Sequence, residues 1–430
     1  MDLYQSRGTL AYWLQCILKC TEHDMEREKM EKYLDDFEVK NLSTREDLAN
    51  VLEFTAKDEW TQPYVLECAA VGIAKAPLFF AQFKGKIKVE RKPGVEIEAL
   101  GVTCDDDDLE TVAAGDGLLL VCPKDNKYQT FPLRYTAFPS VCGRAGISGP
   151  TISNTTDKPS VSALPVEEKA NWISRGFSLH SAVCKILLRD GKVSAMLSND
   201  YQVLPDDKLV DALESQLKID FPDYEFISGM FSHEYLTVDY LLHDGPMETN
   251  FAQMLINFGM RNDIEVKAGV RFSTSDIGAS KVKATPFFDI CGTTLIMGKP
   301  CEISHLAQKT VDDFANAVMS LNAAFKENED QIERLGNTDI KYPTDCLQNI
   351  IKKHPLFVSC SEDAIDTLKV LPKGTATAID VYLAFNQIIL TKNQKKALSP
   401  TQLVNLSEEA AKLMFIDYGV YDHFYVENED

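Results

Sequence analysis

The sequence predicts an α+β protein: a strand-rich central sheet, antiparallel or mixed, flanked by helices, with helical segments at both ends. Three observations carry this. Paired β-like runs cluster between residues 184 and 290, one pair joined by Asp190-Gly191. Apolar residues recur at helical spacing in the first 60 residues and again beyond residue 310. Hydrophobic residues make up 45% of the 430-residue chain and charged residues 25%, which is a globular composition with material for a large core.

Taken in order, Leu10, Trp13, Leu14, Ile17 and Leu18 share a helical stripe, and the Glu- and Lys-rich stretch Met25–Phe37 follows. A third helix is expected from Ser43, with Glu46 three residues on as a capping box, and Leu48, Val51, Leu52 and Phe54 as its apolar stripe. Lys86–Glu90 and Val95–Leu100 alternate, and Gly117–Cys122 is an apolar run, so all three are expected strands. The four successive Asp residues 105–108 lack the alternate spacing and turn glycine of a calcium loop and are expected to be a solvated acidic loop. Residues 146–166, rich in Gly, Ser, Thr, Asn and Pro, are the linker candidate, with a long ordered loop as the other reading.

Cys184–Arg189 and Lys192–Leu197 flank Asp190-Gly191, the signature of a hairpin with a type I′ turn. Asp206–Lys218 places Leu209, Val210, Leu213 and Leu217 on one helix face. Tyr224–Phe231, Glu234–Leu242, Ile264–Ser273 and Lys281–Ile290 are expected strands, and Val311–Leu335 one helix. Beyond it, Thr375–Leu390 and Thr401–Phe415 are expected helices, and Leu356–Cys360 is the single strand candidate. These elements divide the chain into an N-terminal helical segment (1–60), a small α/β region (61–150), a central α+β domain (167–335) and a C-terminal helical region (336–430).

The net charge is −21, and residues 1–160, 161–335 and 336–430 are each acidic, at −7, −10 and −4. Such a field repels nucleic acid and anionic lipid at long range, so any nucleic-acid contact must rest on a local patch. The start of the chain lacks the basic segment of a secretory signal, and the run Val65–Phe83 is interrupted by Glu67, Lys75 and Pro77, so no membrane association is expected. The 11 cysteines include no C-x-x-C pair and are expected to be buried thiols in a reducing compartment, without a structural disulfide. None of the seven histidines pairs with another His or a Cys at tight metal-ligand spacing. His233 and His243 are expected to be surface or loop residues. The phosphate-loop, dinucleotide, H-E-x-x-H and G-x-S-x-G motifs are all missing, so no metal site is expected and no cofactor is indicated.

Three stretches resemble a family of phage- and plasmid-encoded proteins known only as a domain of unknown function, number nine-three-two. They are the hairpin from Lys185 running through Leu197-Ser198-Asn199-Asp200-Tyr201 to Asp207, the strand–Ser-rich turn–strand Gly269–Phe287, and Thr377–Asn386 with the following Leu398-Ser399-Pro400. The likeness covers roughly residues 130–420. It departs from the family pattern at Asn199, which interrupts the Ser-Asp step, and in the helical start and acidic loop. The resemblance implies mobile-element cargo, often encoded beside DNA-processing and anti-restriction genes; a homo-oligomer in the cytoplasm of a bacterial host is a further expectation. It implies no settled activity. The polar residues that match are Arg175, Ser198, Asp200, Tyr201, Ser273, Ser275, Asp276, Gly278 and Ser280.

If the Ser198–Tyr201 and Ser273–Ser280 turns lie together, Arg175, Ser198, Asp200, Tyr201, Ser275 and Asp276 become catalytic candidates. Two carboxylates can hold a divalent cation or share acid–base work. The competing reading is turn chemistry, which uses the same residue types. A second feature lies between residues 267 and 309, where six basic residues stand against three acidic ones. Lys267, Arg271, Lys281 and Lys283 there form a candidate phosphate-tracking strand face, with aggregation-blocking edge lysines as the alternative. Three functions follow: an accessory in DNA recombination or replication that binds single-stranded DNA; an acidic interaction protein that inhibits a host defence factor; or a metal-dependent enzyme using the Ser/Asp turns.

Overall fold

The structure, a computed structural model, describes residues 40–60, 79–83, 87–88, 101–102, 118–124, 127–147, 172–173, 176, 184–258, 263–290, 293–306, 308–371, 374–395, 398 and 400–426. The expected helices before residue 40, the strand 95–100, the acidic loop 105–108, most of the linker candidate 146–166, and Arg175 lie outside the described residues.

The fold is α+β, and its centre is a seven-stranded antiparallel sheet. It contains β1 (Lys40–Leu42), β10 (Glu225–Phe231), β11 (Leu236–Leu241), β12 (Val266–Thr274), β13 (Val282–Ile290) and β14 (Thr293–Ile296) in that order, with β15 (Cys301–Ile303) also pairing β13. A three-stranded sheet runs β2 (Glu59–Trp60), β8 (Cys184–Arg189), β9 (Lys192–Ser198). A five-stranded sheet is ordered β4 (Ile87–Lys88), β3 (Phe79–Phe83), β6 (Leu118–Lys124), β7 (Lys127–Pro132), β5 (Gly101–Val102). The chain leaving β7 joins the last two sheets, because Leu133 bridges Val193 and Arg134 N–H donates to the Val193 carbonyl at 3.0 Å.

The hairpin forms as expected, Arg189 pairing with Lys192 across a two-residue turn. Asp190 and Gly191 sit at φ 51° and 68°, the left-handed pair that a type I′ turn requires. Gly191→Val should destabilise the protein by about 1–2 kcal/mol, because a β-branched residue resists positive φ. An unchanged urea midpoint for that variant would remove the turn as the cause.

Strand alternation explains the large core. Val266, Ala268, Val270 and Phe272 of β12, with Val282, Ala284 and Phe288 of β13, are buried on one sheet face. Helices α3 (Asp206–Asp220), α4 (Gly245–Asn257), α5 (Val311–Val318) and α6 (Leu321–Gly336) contribute to the same core. So do α7 (Pro343–Lys353), α8 (Glu362–Lys369), α9 (Ala378–Lys395) and α10 (Pro400–Leu413). The C-terminal helices therefore share one hydrophobic core with the central sheet. A second core gathers Leu120, Leu133, Val141 and Ile173 against Ile186, Val193 and Met196, around α2 (Phe138–Arg144).

Several local expectations are corrected. The capping box of α1 (Arg45–Thr55) is Thr44 with Asp47, not Ser43 with Glu46, because Asp47 Oδ2 accepts from both the Ser43 and Thr44 amides. The segment 40–60, expected to be helical, begins and ends in strands that enter two different sheets. Residues 311–336 form two helices, separated at Met319-Ser320, where Ser320 Oγ donates back to the Ala317 carbonyl. Leu356–Cys360 is no strand: Pro355–Phe357 is a 3-10 turn. Helices α2, α4, α7 and α8 had no expected bounds of their own, and α7 and α8 lie in the expected C-terminal helical region.

Cys142, Cys184, Cys301 and Cys346 are buried free thiols, and Cys360 is a half-buried one. Burial pushes the Cys184 thiol up to about 11 and the Cys346 thiol up to about 12, which keeps them protonated and unreactive at neutral pH.

Candidate functional site

Two of the turns singled out from sequence do come together. Tyr201, just past β9, is buried and donates its hydroxyl to the Ser275 carbonyl at 3.1 Å, inside the β12–β13 turn. Gly278, at φ 76°, lies against Leu197 and Tyr201. Ser275 Oγ accepts from Ala279 N–H at 3.1 Å, so its side chain closes its own turn. Ser273 is buried, Ser198 half-buried and Asp200 exposed. Asp200 and Asp276 therefore stand in opposite settings, one facing solvent and one bound inside.

Asp276 leads to a charge cluster built from six separated segments. Arg189, at the end of β8, is 1% exposed. Its Nε and Nη2 fork the Asp58 carboxylate at 2.5–3.0 Å, and Nη2 also donates to Asp276 Oδ2 at 2.9 Å. The guanidinium lies 5.5 Å from the Phe231 ring centroid. Arg134, also 1% exposed, bonds His233 Nε2 at 2.7 Å and donates to the Arg189 carbonyl at 3.2 Å. Asp206, the first residue of α3, is buried in the field of the same group. Tyr201 stacks on His305 with ring centroids 4.9 Å apart, and His305 Nδ1 meets the Gln202 carbonyl at 3.2 Å.

The protonation states follow from burial. His233 is driven down to about 2, first by burial and then by the Arg134 charge, so its ring is neutral and Nε2 accepts from the guanidinium. This corrects the expectation of a surface histidine: its loop turns inward onto Arg134. Burial raises Asp58 and Asp276 despite the Arg189 charge, and it raises Asp206 well above the carboxylate range, reinforced by the Asp276 charge. Burial opposes the Arg189 charge, but the Asp58 hydrogen bonds and the fields of Asp58, Asp276 and Asp206 outweigh it, and the guanidinium stays charged. Asp206 is thus the carboxyl of the cluster most disposed to keep its proton, beside the Arg189 guanidinium and the Asp58 and Asp276 carboxyls. Among the described residues, no group of three or more His, Cys, Asp or Glu side chains is placed to hold a metal ion.

The candidate nucleic-acid face has a different fate. Lys267 pairs with Glu265 at 2.9 Å, Lys281 with Glu302 and Lys283 with Glu408. Arg271 forks Asp239 of β11 at 2.7 and 2.6 Å. Lys299 and Lys309 pair with Glu327 and Asp313 at 3.2 and 3.3 Å. The expectation that this face meets solvent is corrected for Lys283, which is 8% exposed beneath α10, and for half-buried Arg271. Phe272, Phe287 and Phe288 are core residues.

Arg134, Arg189, Asp58, Asp206 and His233 were not expected in a site. The one sequence signal is an arginine closing the apolar run Ile186–Leu188, since a charge there needs a buried partner. No family model matches the chain, and no curated protein or solved structure matches it either. Among the described residues, no helix is long and apolar enough to cross a membrane.

Proposed function

We propose that the chain is an acidic interaction protein that binds a basic protein partner, the second of the three functions expected from sequence. The observation that supports this is the pairing of all six basic residues between Lys267 and Lys309. Each is engaged by a carboxylate, so this strand face offers phosphate little uncompensated positive charge, in a chain of net charge −21. The charge cluster at Arg189 serves this reading as a structural clasp holding three sheets in one frame. The expectations from sequence extend the proposal: the partner is a host defence factor, met in a bacterial cytoplasm by a homo-oligomer.

The test is fluorescence anisotropy with labelled single-stranded DNA at low salt, beside affinity capture from cells carrying the gene. No DNA binding is expected, together with a captured basic protein that dissociates as salt is raised. DNA binding that steepens at low salt and is lost when Arg271, Lys281 and Lys283 are changed to Glu would restore the DNA-accessory function instead.

A further inference from the structure

Helix α9 presents Ile379, Leu383, Asn386, Leu390 and Asn393 at spacings of three and four, one stripe along one face. That stripe does not close against its neighbours. It forms a wall of a cavity of about 230 Å³, completed by Phe251 and Leu255 of α4, Ile332 of α6, Leu403 of α10 and the β13–β14 end of the sheet. A cavity of about 150 Å³ lined by apolar side chains accepts a benzene ring, so this one has room for a ring with a substituent or a chain of eight or so carbons.

The polar groups on its wall narrow the ligand further. Asn393 Oδ1 is already occupied, accepting from Leu398 N–H at 3.1 Å. Arg271 gives Nε and Nη2 to Asp239, which fixes the guanidinium and leaves Nη1 outside that fork. Asn386 Nδ2 is buried and has no hydrogen-bond partner among the described residues. A buried amide donor left unmet in an apolar setting costs about 1–3 kcal/mol. A ligand that brings an acceptor to it removes that penalty and buries its own apolar body at the same time.

We infer that this cavity is a binding site for a small, largely apolar carboxylic acid, medium-chain or single-ring, whose carboxylate meets Asn386 and Arg271. The site is separate from the acidic surface on which the proposed partner binding rests, and neither reading depends on the other. Both headgroup contacts are donors held in place before binding: Asn386 by the packed helix, Arg271 by Asp239. A cationic amine of the same length would set its charge beside the Arg271 guanidinium and leave the Asn386 donor unmet.

Titration calorimetry with octanoate and with octylamine as probes tests the site on the full chain. Octanoate is expected to bind saturably at one per chain, and octylamine not to bind. Asn386→Leu, which replaces the amide with an apolar side chain of similar size, is expected to weaken octanoate at least tenfold while raising the melting temperature of the ligand-free protein. Asn386→Asp is expected to lose octanoate and gain octylamine, an exchange of preference that loss of folding does not produce. Absence of saturable octanoate binding to the wild-type chain, or equal octanoate affinity in the wild type and both variants, overturns the inference.

Discussion

Arg189→Met should destabilise the protein by about 3–5 kcal/mol, the range for a buried ion pair stripped of one partner. The substitution keeps much of the side-chain volume and the contact with Phe231, but leaves Asp58 and Asp276 buried without the guanidinium that both use. Arg189→Lys should fall between wild type and Met, since an ammonium keeps the charge and loses the fork. Adding Asp58→Asn and Asp276→Asn to Arg189→Met should recover part of the loss, because the stranded carboxylates are then gone. Urea midpoints for the series provide the measurement, and an Arg189→Met chain as stable as wild type would remove the clasp.

The same cluster sets a pH dependence with a definite sign. Asp206 titrates higher folded than unfolded, so between the two values the folded chain holds a proton that the unfolded chain has released. Its contribution to stability is fully present below the ordinary carboxylate range and is lost as pH rises through the raised folded value. His233 works in the opposite sense: its folded value is depressed, so its contribution is lost as pH falls through the ordinary imidazole range. Wild type and Asp206→Asn share the histidine, so the difference between them isolates the carboxyl. Asp206→Asn should gain stability relative to wild type as pH rises from about 4 towards neutrality. A difference that stays constant over that range would mean Asp206 is not held protonated.

Gly298→Val should cost at least about 3 kcal/mol by two routes. Gly298 sits at φ 76°, where a β-branched residue is strained. A Cβ built there would also lie 1.7 Å from Asn328 Oδ1, and Asn328 is 1% exposed and donates to the Met297 carbonyl at 3.2 Å. The side chain of Asn328 must move, and its buried hydrogen bond goes with it. Gly298→Ala should show much of the same loss, because its Cβ alone meets Asn328 and takes the same positive φ. Thermal unfolding of both variants measures it. Behaviour like wild type would mean the β14–β15 turn repacks freely.

Local chemistry alone determined a good part of this molecule. The Asp190-Gly191 turn, the apolar face of α3 and the strands β10 to β13 are legible because alternation, helical spacing and a positive-φ dipeptide are properties of neighbouring residues. The convergence of the Tyr201 and Ser275 turns could be posed from sequence as a condition, since both turns carry the residues that tight turns need. Only the tertiary structure decided what those turns do. The partners of Arg189 come from positions 58 and 276, with Asp206 beside them, and Arg134 finds His233 across 99 residues. Nothing in a local window records such a meeting. The basic face is paired for the same physical reason. Lys267, Arg271 and Lys283 do lie on one side of a strand pair, but Asp239 from β11 and Glu408 from α10 arrive through register and packing. Whether a charge is a site or half of an ion pair depends on what folds against it. That depends in turn on long-range contacts, which a periodicity of two or 3.6 does not encode.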